Sequence, residues 1–315
     1  MKISDVHPEL RVYARLFHSI VLNMRKAKAA KAFFSLLKLR HTRKLRFEQK
    51  YITRADGSKL RLCVYLPKKP RENVPGLLWI HGGGYAFGVP ERDESYIKRF
   101  IHKSGCVVVS PDYTLSLVKP YPAAFNDCYD ALLWLKEHGA EYGMRSDQIF
   151  VGGDSAGGGL AAAVSLRARD SKDAAIAFQM PLYPMLDDRP TASSRCNTAP
   201  MWNTASNELA WRLYLGALYK TDGVPAYAAP ARAVSYKKIP PTCTFVGSIE
   251  PFYDETEEYV KNLRDSGVIT HFRVFEGCFH AFNTICPKTN IAKEANAFLM
   301  ETFEYAAAHY FAKQP

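Results

Sequence analysis

Ser155 lies at the centre of the stretch Gly153-Asp154-Ser155-Ala156-Gly157, which decides the fold of this chain. An apolar, strand-like run (148–152) precedes it, and a run of small, helix-forming residues (158–163) follows it. A serine at the tip of a sharp strand-to-helix turn has strained dihedral angles, and the residues two positions away must be small so that strand and helix can approach. Two glycines satisfy this condition. The stretch therefore predicts a nucleophile elbow; the alternative is an ordinary glycine-rich turn that begins a helix.

A second glycine-rich stretch lies upstream, at His81-Gly82-Gly83-Gly84, directly after an apolar run (75–80) that predicts a buried strand. Acyl transfer through a serine produces a tetrahedral oxyanion, which needs fixed N–H donors, and glycines let backbone amides approach without obstruction by a Cβ. The residue after the nucleophile, here Ala156, supplies one such amide, and an HGGG-type loop supplies another. Together the two stretches predict an oxyanion hole and disfavour a phosphate-binding loop.

The other members of a catalytic triad should follow Ser155 in the order acid, then histidine, at the ends of late strands. Three histidines lie downstream. His271 falls inside an alternating, strand-like run and His309 lies in a terminal helical pattern, whereas His280 follows the last predicted strand in a loop. We predict that His280 is the general base.

The acid is expected just after the predicted strand at 242–247, where three carboxylates follow in the sequence: Glu250, Asp254 and Glu255. A buried carboxylate fixes the tautomer of the histidine and stabilises the imidazolium ion, and either Asp or Glu can do this. The triad rule by itself leaves the choice among them open.

The chain resembles the hormone-sensitive-lipase-like (bacterial family IV) carboxylesterases over nearly its whole length. The resemblance is carried by His81-Gly82-Gly83-Gly84-Tyr85, Gly153-Asp154-Ser155-Ala156-Gly157-Gly158, Tyr121-Pro122-Ala123-Ala124 and Tyr227-Ala228-Ala229-Pro230-Ala231-Arg232-Ala233. The acid of that family opens a D-P-x-x-D-E stretch, which corresponds here to Glu250-Pro251-Phe252-Tyr253-Asp254-Glu255. The resemblance therefore implies Glu250 as the acid, in a position where Asp is usual, with Asp254 as the alternative.

The same resemblance implies oxyanion amides at Gly83, Gly84 and Ala156, and an α/β-hydrolase fold with a mostly parallel sheet of about eight strands, helices on both faces and a helical cap. It implies hydrolysis of short- to medium-chain acyl esters, small molecules, through a covalent acyl-enzyme and without a cofactor or metal. The alternatives are a deacetylase of a sugar or xenobiotic ester, an amidase, or a non-catalytic receptor on the same fold. A receptor of the gibberellin type lacks the histidine, and this chain retains it.

Strand-like and helix-like patterns alternate along the chain, which independently predicts a mostly parallel sheet covered on both faces. The predicted strands are Arg46–Thr53, Lys59–Leu66, Gly76–Ile80, Cys106–Ser110, Gln148–Gly152, Ile176–Pro181, Thr242–Gly247 and Thr270–Phe275. The predicted helices are Phe125–Tyr142, Gly158–Ala168, Glu255–Ser266 and Asn290–Phe311. We expect a catalytic core formed by residues 46–189 and 221–315. The segment 190–220 carries many large apolar residues and is expected to form part of a cap.

The N-terminal segment holds most of the charge. The first fifty residues contain 13 Lys and Arg against 3 Asp and Glu, so nearly all of the formal net charge of +11 lies there. Apolar residues recur at helical spacing in it, at Leu10, Tyr13, Phe17, Ile20, Val21 and Met24 and again at Phe33, Phe34, Leu36 and Leu37. We expect residues 1–45 to form a helical cap segment; the alternative is a basic amphipathic helix on a membrane surface. A basic segment alone is weak support for a nucleic-acid partner, and we expect none.

The cysteine content points to a reducing compartment. The chain has 7 cysteines, an odd number, and no C-x-x-C pair. The segment at the N-terminus lacks the uninterrupted apolar run that a signal peptide requires. We therefore expect a cytoplasmic protein, and the sequence leaves a homo-oligomer open.

Overall fold

A sheet of eight strands organises the computed structural model, which describes residues 2–17, 20–39 and 44–315. In chain order the strands are β1 (Arg46–Thr53), β2 (Lys59–Leu66), β3 (Val74–Ile80), β4 (Val107–Pro111), β5 (Met144–Asp154), β6 (Phe178–Leu182), β7 (Thr242–Gly247) and β8 (Thr270–Phe275). Their spatial order is β1-β2-β4-β3-β5-β6-β7-β8. β2 runs antiparallel to both β1 and β4, and every other neighbouring pair is parallel.

Nine α-helices are present in the described ranges, and most of them connect or cover the strands. They are α1 (Arg11–Phe17), α2 (Met24–Ser35), α3 (Glu94–Ser104), α4 (Ala123–His138), α5 (Ala156–Ser171), α6 (Thr204–Leu215), α7 (Tyr253–Asp265), α8 (Phe282–Ile285) and α9 (Asn290–His309). α4 packs against α5, and α3 packs against α9. The fold is the α/β-hydrolase fold, as the sequence predicts.

The central strands are buried on both faces. Successive side chains of a strand point to opposite faces, and in β3 Leu78 and Ile80 pack in one apolar cluster while Leu77 and Trp79 pack in the other. All four are completely buried. Their burial explains why the central strands read as continuous apolar runs in the sequence, as expected for parallel strands covered by helices on each side.

The turn between β5 and α5 has the geometry of a nucleophile elbow. Ser155 has φ of 58°, a left-handed value that is uncommon for a residue with a Cβ. A Cβ added at Gly153 would lie 2.4 Å from the carbonyl oxygen of Ile80, and one added at Gly157 would lie 2.1 Å from the same oxygen. The strand and helix therefore approach β3 at a distance that only glycine permits at these two positions.

Four strands (β1, β2, β7 and β8) have the bounds that the sequence predicts, and the others differ by a few residues. The largest extension is β5, which begins at Met144 because its first residue pairs with Val74 of β3. The predicted helix 125–142 ends as an α-helix at His138 and continues as a 3-10 turn, Gly139–Tyr142. Helix α3 was not predicted from the sequence, although its buried Tyr96, Ile97, Phe100 and Ile101 follow helical spacing.

The apolar repeat from Leu10 to Met24 is divided between two helices and the turn that joins them. α1 ends at Phe17, and α2 begins only at Met24 because the side chain of Asn23 caps it by accepting from the amide of Lys26. Ile20 lies between the two helices. Residues 1, 18, 19 and 40–43 of the predicted cap segment lie outside the described residues.

We predict that Gly157→Ala destabilises the protein by about 3 kcal/mol, the upper end for overpacking, because the new methyl group meets backbone atoms that cannot rotate away. Gly223→Ala is the matched control, since a Cβ there meets its first neighbour at 3.9 Å. Urea unfolding of both variants measures the difference. Equal unfolding midpoints would show that the elbow tolerates a Cβ.

Candidate active site

The predicted nucleophile, base and acid meet in one hydrogen-bonded chain. The Oγ of Ser155 lies 2.8 Å from Nε2 of His280, and Nδ1 of His280 is hydrogen-bonded to Oε2 of Glu250. A carboxylate only accepts hydrogen bonds, so Nδ1 carries the proton and Nε2 is left to accept from the serine hydroxyl. Oε1 of Glu250 accepts from the amide of Gly247 at 2.9 Å, which fixes the carboxylate. All three side chains are buried.

The three side chains follow the carboxyl ends of parallel strands. Ser155 follows β5, Glu250 lies in the turn after β7, and His280 lies in the loop after β8. In open α/β sheets, ligands bind outside these strand ends. The positions are far apart in the sequence, and the parallel strands carry them to the same edge of the sheet.

The other candidate residues have different partners. Asp254, at the start of α7, accepts through Oδ2 from the amide of Ser193 at 2.5 Å. Glu255 is buried and accepts through Oε1 from the amides of Leu186 and Asp187. His271 is hydrogen-bonded through Nε2 to the hydroxyl of Tyr310, and His309 through Nδ1 to the carbonyl of Tyr305. Each of these groups has a local structural contact away from Ser155.

The glycine-rich loop after β3 lies beside the elbow. The amide of Gly82 donates to Oδ1 of Asp154 at 2.7 Å and is therefore already engaged. Gly83 and Gly84 have positive φ, 120° and 56°, and both line the cavity that Ser155 lines. Within the described part of the chain neither amide donates to a protein acceptor. Ala156 is the first residue of α5, where the first N–H groups lack intrahelical partners.

A buried charged cluster fastens this loop to the elbow. Asp154 is fully buried, and its Oδ2 accepts from Nη2 of Arg92 at 3.0 Å while its Oδ1 holds Gly82. Oδ2 of Asp93 accepts from the indole nitrogen of Trp79 at 3.0 Å. Burial, with the nearby charge of Asp154, raises the pKa of Asp93 to about 8. This cluster was not predicted from the sequence, where its one signal is the charged pair Arg92-Asp93 soon after the glycine loop.

His81 is a structural member of the loop. Its ring is fully buried and stacks on the ring of Tyr113 with centroids 4.2 Å apart. Burial lowers the pKa of His81 to about 4, so the imidazole is neutral at physiological pH. The hydroxyl of Tyr113 donates to the carbonyl of His81 at 3.0 Å. These contacts hold the chain at the point where β3 ends and the loop begins.

A cavity of about 410 Å³ opens from the serine and histidine. Large apolar side chains form much of its wall, from the N-terminal segment, the glycine loop and the 190–220 segment: Ile20, Leu22, Phe34, Phe87, Met201 and Trp202. The rings of Phe34 and Phe87 stack with centroids 5.9 Å apart. Several other aromatic residues of these segments pack in the core instead, such as Tyr85, which stacks on Tyr214.

No group of three or more His, Cys, Asp or Glu side chains in the described residues could hold a metal ion. None of the helices in the described ranges is both long and apolar enough to cross a membrane. All seven cysteines are free thiols, and Cys196 is the exposed one.

Comparisons with known proteins identify the family of the chain. A family model described as alpha/beta hydrolase fold matches residues 77–284, about two thirds of the chain. The chain belongs to this family. Within it, the protein is an esterase of the hormone-sensitive-lipase-like group, as its motifs and relatives indicate.

Several relatives of this α/β-hydrolase carry an esterase name. It is 35% identical over 197 residues to the esterase LipI of Mycobacterium tuberculosis, an alignment covering 62% of this chain and 61% of LipI. It is 32% identical over 232 residues to the carboxylesterase NlhH of the same species, covering 71% of each chain. Among solved structures, a bacterial heroin esterase superposes with a TM-score of 0.89 at 29% identity, covering 98% of this chain and 99% of that one.

We predict that Glu250→Gln lowers kcat by about 10²- to 10⁴-fold, because an amide that donates to Nδ1 favours the wrong histidine tautomer. Asp254→Asn is the matched control, since its carboxylate contacts the amide of Ser193 and not the histidine. Steady-state hydrolysis of an aryl acetate by both variants measures the difference. A larger loss in Asp254→Asn than in Glu250→Gln would transfer the role to Asp254.

Proposed function

We propose that this α/β-hydrolase is a serine carboxylesterase whose catalytic triad is Ser155, His280 and Glu250. The observation that carries the proposal is the hydrogen-bonded chain from the serine Oγ through both ring nitrogens of the histidine to the carboxylate. The serine end of these hydrogen bonds lies at a cavity with a largely apolar wall. Beside it are backbone amides that have no protein acceptor in the described residues. A non-catalytic receptor would not need such an arrangement.

In the proposed first half-reaction, Oγ of Ser155 attacks the ester carbonyl carbon and its proton passes to Nε2 of His280. Glu250 stabilises the imidazolium ion that forms. The carbonyl oxygen becomes an oxyanion and accepts hydrogen bonds from the amides of Gly83, Gly84 and Ala156. When the tetrahedral intermediate collapses, His280 returns the proton to the leaving alcohol, and the acyl group stays on the serine.

In the second half-reaction, water attacks the acyl-enzyme while His280 accepts a proton from it. The second tetrahedral intermediate uses the same amide donors. Its collapse breaks the bond to Oγ of Ser155 and releases the carboxylic acid, while His280 returns its proton to Oγ and restores the serine hydroxyl. This sequence requires only groups of the protein and water.

The proposed substrates are short- to medium-chain acyl esters. A cavity of about 410 Å³ with a largely apolar wall suits a short alkyl or aryl group. The similarity to a bacterial heroin esterase supports a second candidate for the same site, a xenobiotic ester. Both candidates use the same chemistry and differ in the alcohol and acyl groups that the cavity holds.

We propose that residues 1–45 and 190–220 form the cap over a core of residues 46–189 and 221–315. Both segments contribute apolar side chains to the cavity wall. They also bind each other, since the amide of Leu22 donates to Oγ of Ser206 at 2.9 Å and Nδ2 of Asn203 donates to the carbonyl of Ile20 at 3.2 Å. Seven free cysteines support a cytoplasmic location for the enzyme.

Ser155→Ala and His280→Ala should each lower kcat by roughly 10⁴-fold or more, and the double variant should be little worse, because members of a triad act as a unit. His271→Ala is the control, since that histidine contacts Tyr310 away from the cavity. Hydrolysis of aryl esters by purified, folded proteins measures the rates. A Ser155→Ala enzyme that keeps a tenth of the parental rate would exclude this serine as the nucleophile.

Phe34→Ala should lower kcat/KM for longer acyl esters by about tenfold and change that for acetyl esters much less, because a remote apolar contact is lost while the reacting groups stay in place. Phe33→Ala is the matched control, since Phe33 is 63% exposed and does not line the cavity. A series of aryl esters with increasing acyl length measures the effect. If the two variants respond alike, the proposed cap does not contribute to acyl binding.

A further inference from the structure

The outward side of the N-terminal cap carries an unusual concentration of exposed apolar side chains. In the described ranges 14 large apolar side chains are exposed, and 8 of them precede residue 40. Phe33 is 63% exposed, Leu36 is 60% exposed and Met24 is 39% exposed. Single exposed apolar residues are ordinary, whereas a contiguous group commonly marks an interaction surface.

Helix α2 is held to the protein by its other side. Ala27 is fully buried, and Phe34, seven residues later and therefore on the same side of the helix, stacks on Phe87 in the cavity wall. Phe33 is turned about 100° from Phe34 and faces outward. Packing within this chain therefore explains Ala27 and Phe34. The ring of Phe33 meets the ring of Phe34 edge-on, with centroids 5.5 Å apart, yet Phe33 and Leu36 are mostly exposed and neither belongs to the core.

The segment that carries Phe33 and Leu36 contributes charges of one sign only. Residues 20–39 contain five cationic residues (Arg25, Lys26, Lys28, Lys31 and Lys38) and no Asp or Glu. The first three are exposed, whereas Lys38 pairs with Asp112. We call the exposed group of Arg25, Lys26, Lys28, Phe33 and Leu36, on the side of the segment opposite Ala27, the outer cap face.

A second copy of this chain is a poor occupant for the outer cap face. In a symmetric dimer the same patch meets itself, so the cationic side chains of both copies would be brought together without carboxylates from the same segments. An anionic lipid surface complements both properties of the patch. Lys and Arg side chains near such a surface are attracted to its phosphates, and aromatic and leucine side chains enter the boundary between headgroups and acyl chains.

We propose that the outer cap face binds an anionic lipid membrane, with Phe33 and Leu36 inserted at the headgroup boundary and the cationic side chains of α2 on the lipid phosphates. The same segment lines the cavity through Ile20, Leu22 and Phe34, so binding brings the cap side of the cavity towards the lipid. Apolar esters dissolved in the membrane are then a substrate source. This last step rests on the proposed esterase function.

Co-sedimentation with vesicles tests the binding. The full-length enzyme should sediment with vesicles of phosphatidylcholine mixed with phosphatidylglycerol, sediment poorly with phosphatidylcholine alone, and be released by high salt. The double variants Phe33→Ser/Leu36→Ser and Arg25→Glu/Lys28→Glu should each lower partitioning at least about tenfold, given the contribution per charge and per inserted side chain. Turnover of a water-soluble acetyl ester should stay at the parental level in both variants.

The matched control is the double variant Val234→Ser/Lys237→Glu, which removes an exposed apolar residue and an exposed lysine elsewhere on the surface. It should bind vesicles like the parent. Parental binding by both cap variants, or equal binding to both kinds of vesicle, would overturn the proposal. So would sedimentation velocity showing a parental dimer that Phe33→Ser/Leu36→Ser converts to a monomer. If the parental protein binds vesicles but hydrolyses no ester, the result would contradict the proposed enzymatic function and leave the membrane proposal standing.

Discussion

The close approach of the β5–α5 turn to the end of β3 is the constraint on which the rest of this site depends. Gly153 and Gly157 lie so near the carbonyl of Ile80 that neither position has room for a Cβ. This approach forces Ser155 into a left-handed conformation at the tip of the turn. It also places the start of α5, with its unpaired amides, next to the glycine loop that leaves β3. The serine and the amides of Gly83 and Gly84 are thereby brought to the same cavity.

A carboxylate one residue before the serine extends this constraint to the loop. Asp154 accepts from the amide of Gly82 with one oxygen and from the guanidinium of Arg92 with the other. This buried carboxylate therefore joins the elbow to the glycine loop and to the turn that precedes α3. Burying such charges is unfavourable unless they are paired and hydrogen-bonded. Arg92 and the amide of Gly82 provide that pairing. Asp93 lies beside them, and burial together with the charge of Asp154 raises its pKa to about 8. Asp93 therefore keeps its proton at neutral pH.

The sequence was sufficient for the features that depend on neighbouring residues. The antiparallel pair β1 and β2 and the last strands β7 and β8 have the predicted bounds, because alternation and flanking turns define them locally. The extension of β5 to Met144 was not predictable, since it depends on pairing with Val74. The break between α1 and α2 was not predicted, because an apolar repeat gives no sign of the N-cap at Asn23. The link between Arg92 and Asp154 spans 62 residues of sequence, and only the fold brings them together.

In the candidate site too, the residues recognisable from local sequence differ from those that depend on distant contacts. Ser155 and the glycine loop are recognisable from short local motifs, because their backbone requirements restrict the residue types. The choice of Glu250 over Asp254 needed the family resemblance, since both carboxylates follow the same strand and differ in which neighbour they face. In the cap, two neighbouring residues have different surroundings. Phe33 and Phe34 are adjacent, yet the helical turn between them directs one ring to solvent and the other to the cavity. Selection on the outer ring can therefore change what the cap contacts while the inner ring keeps the shape of the cavity.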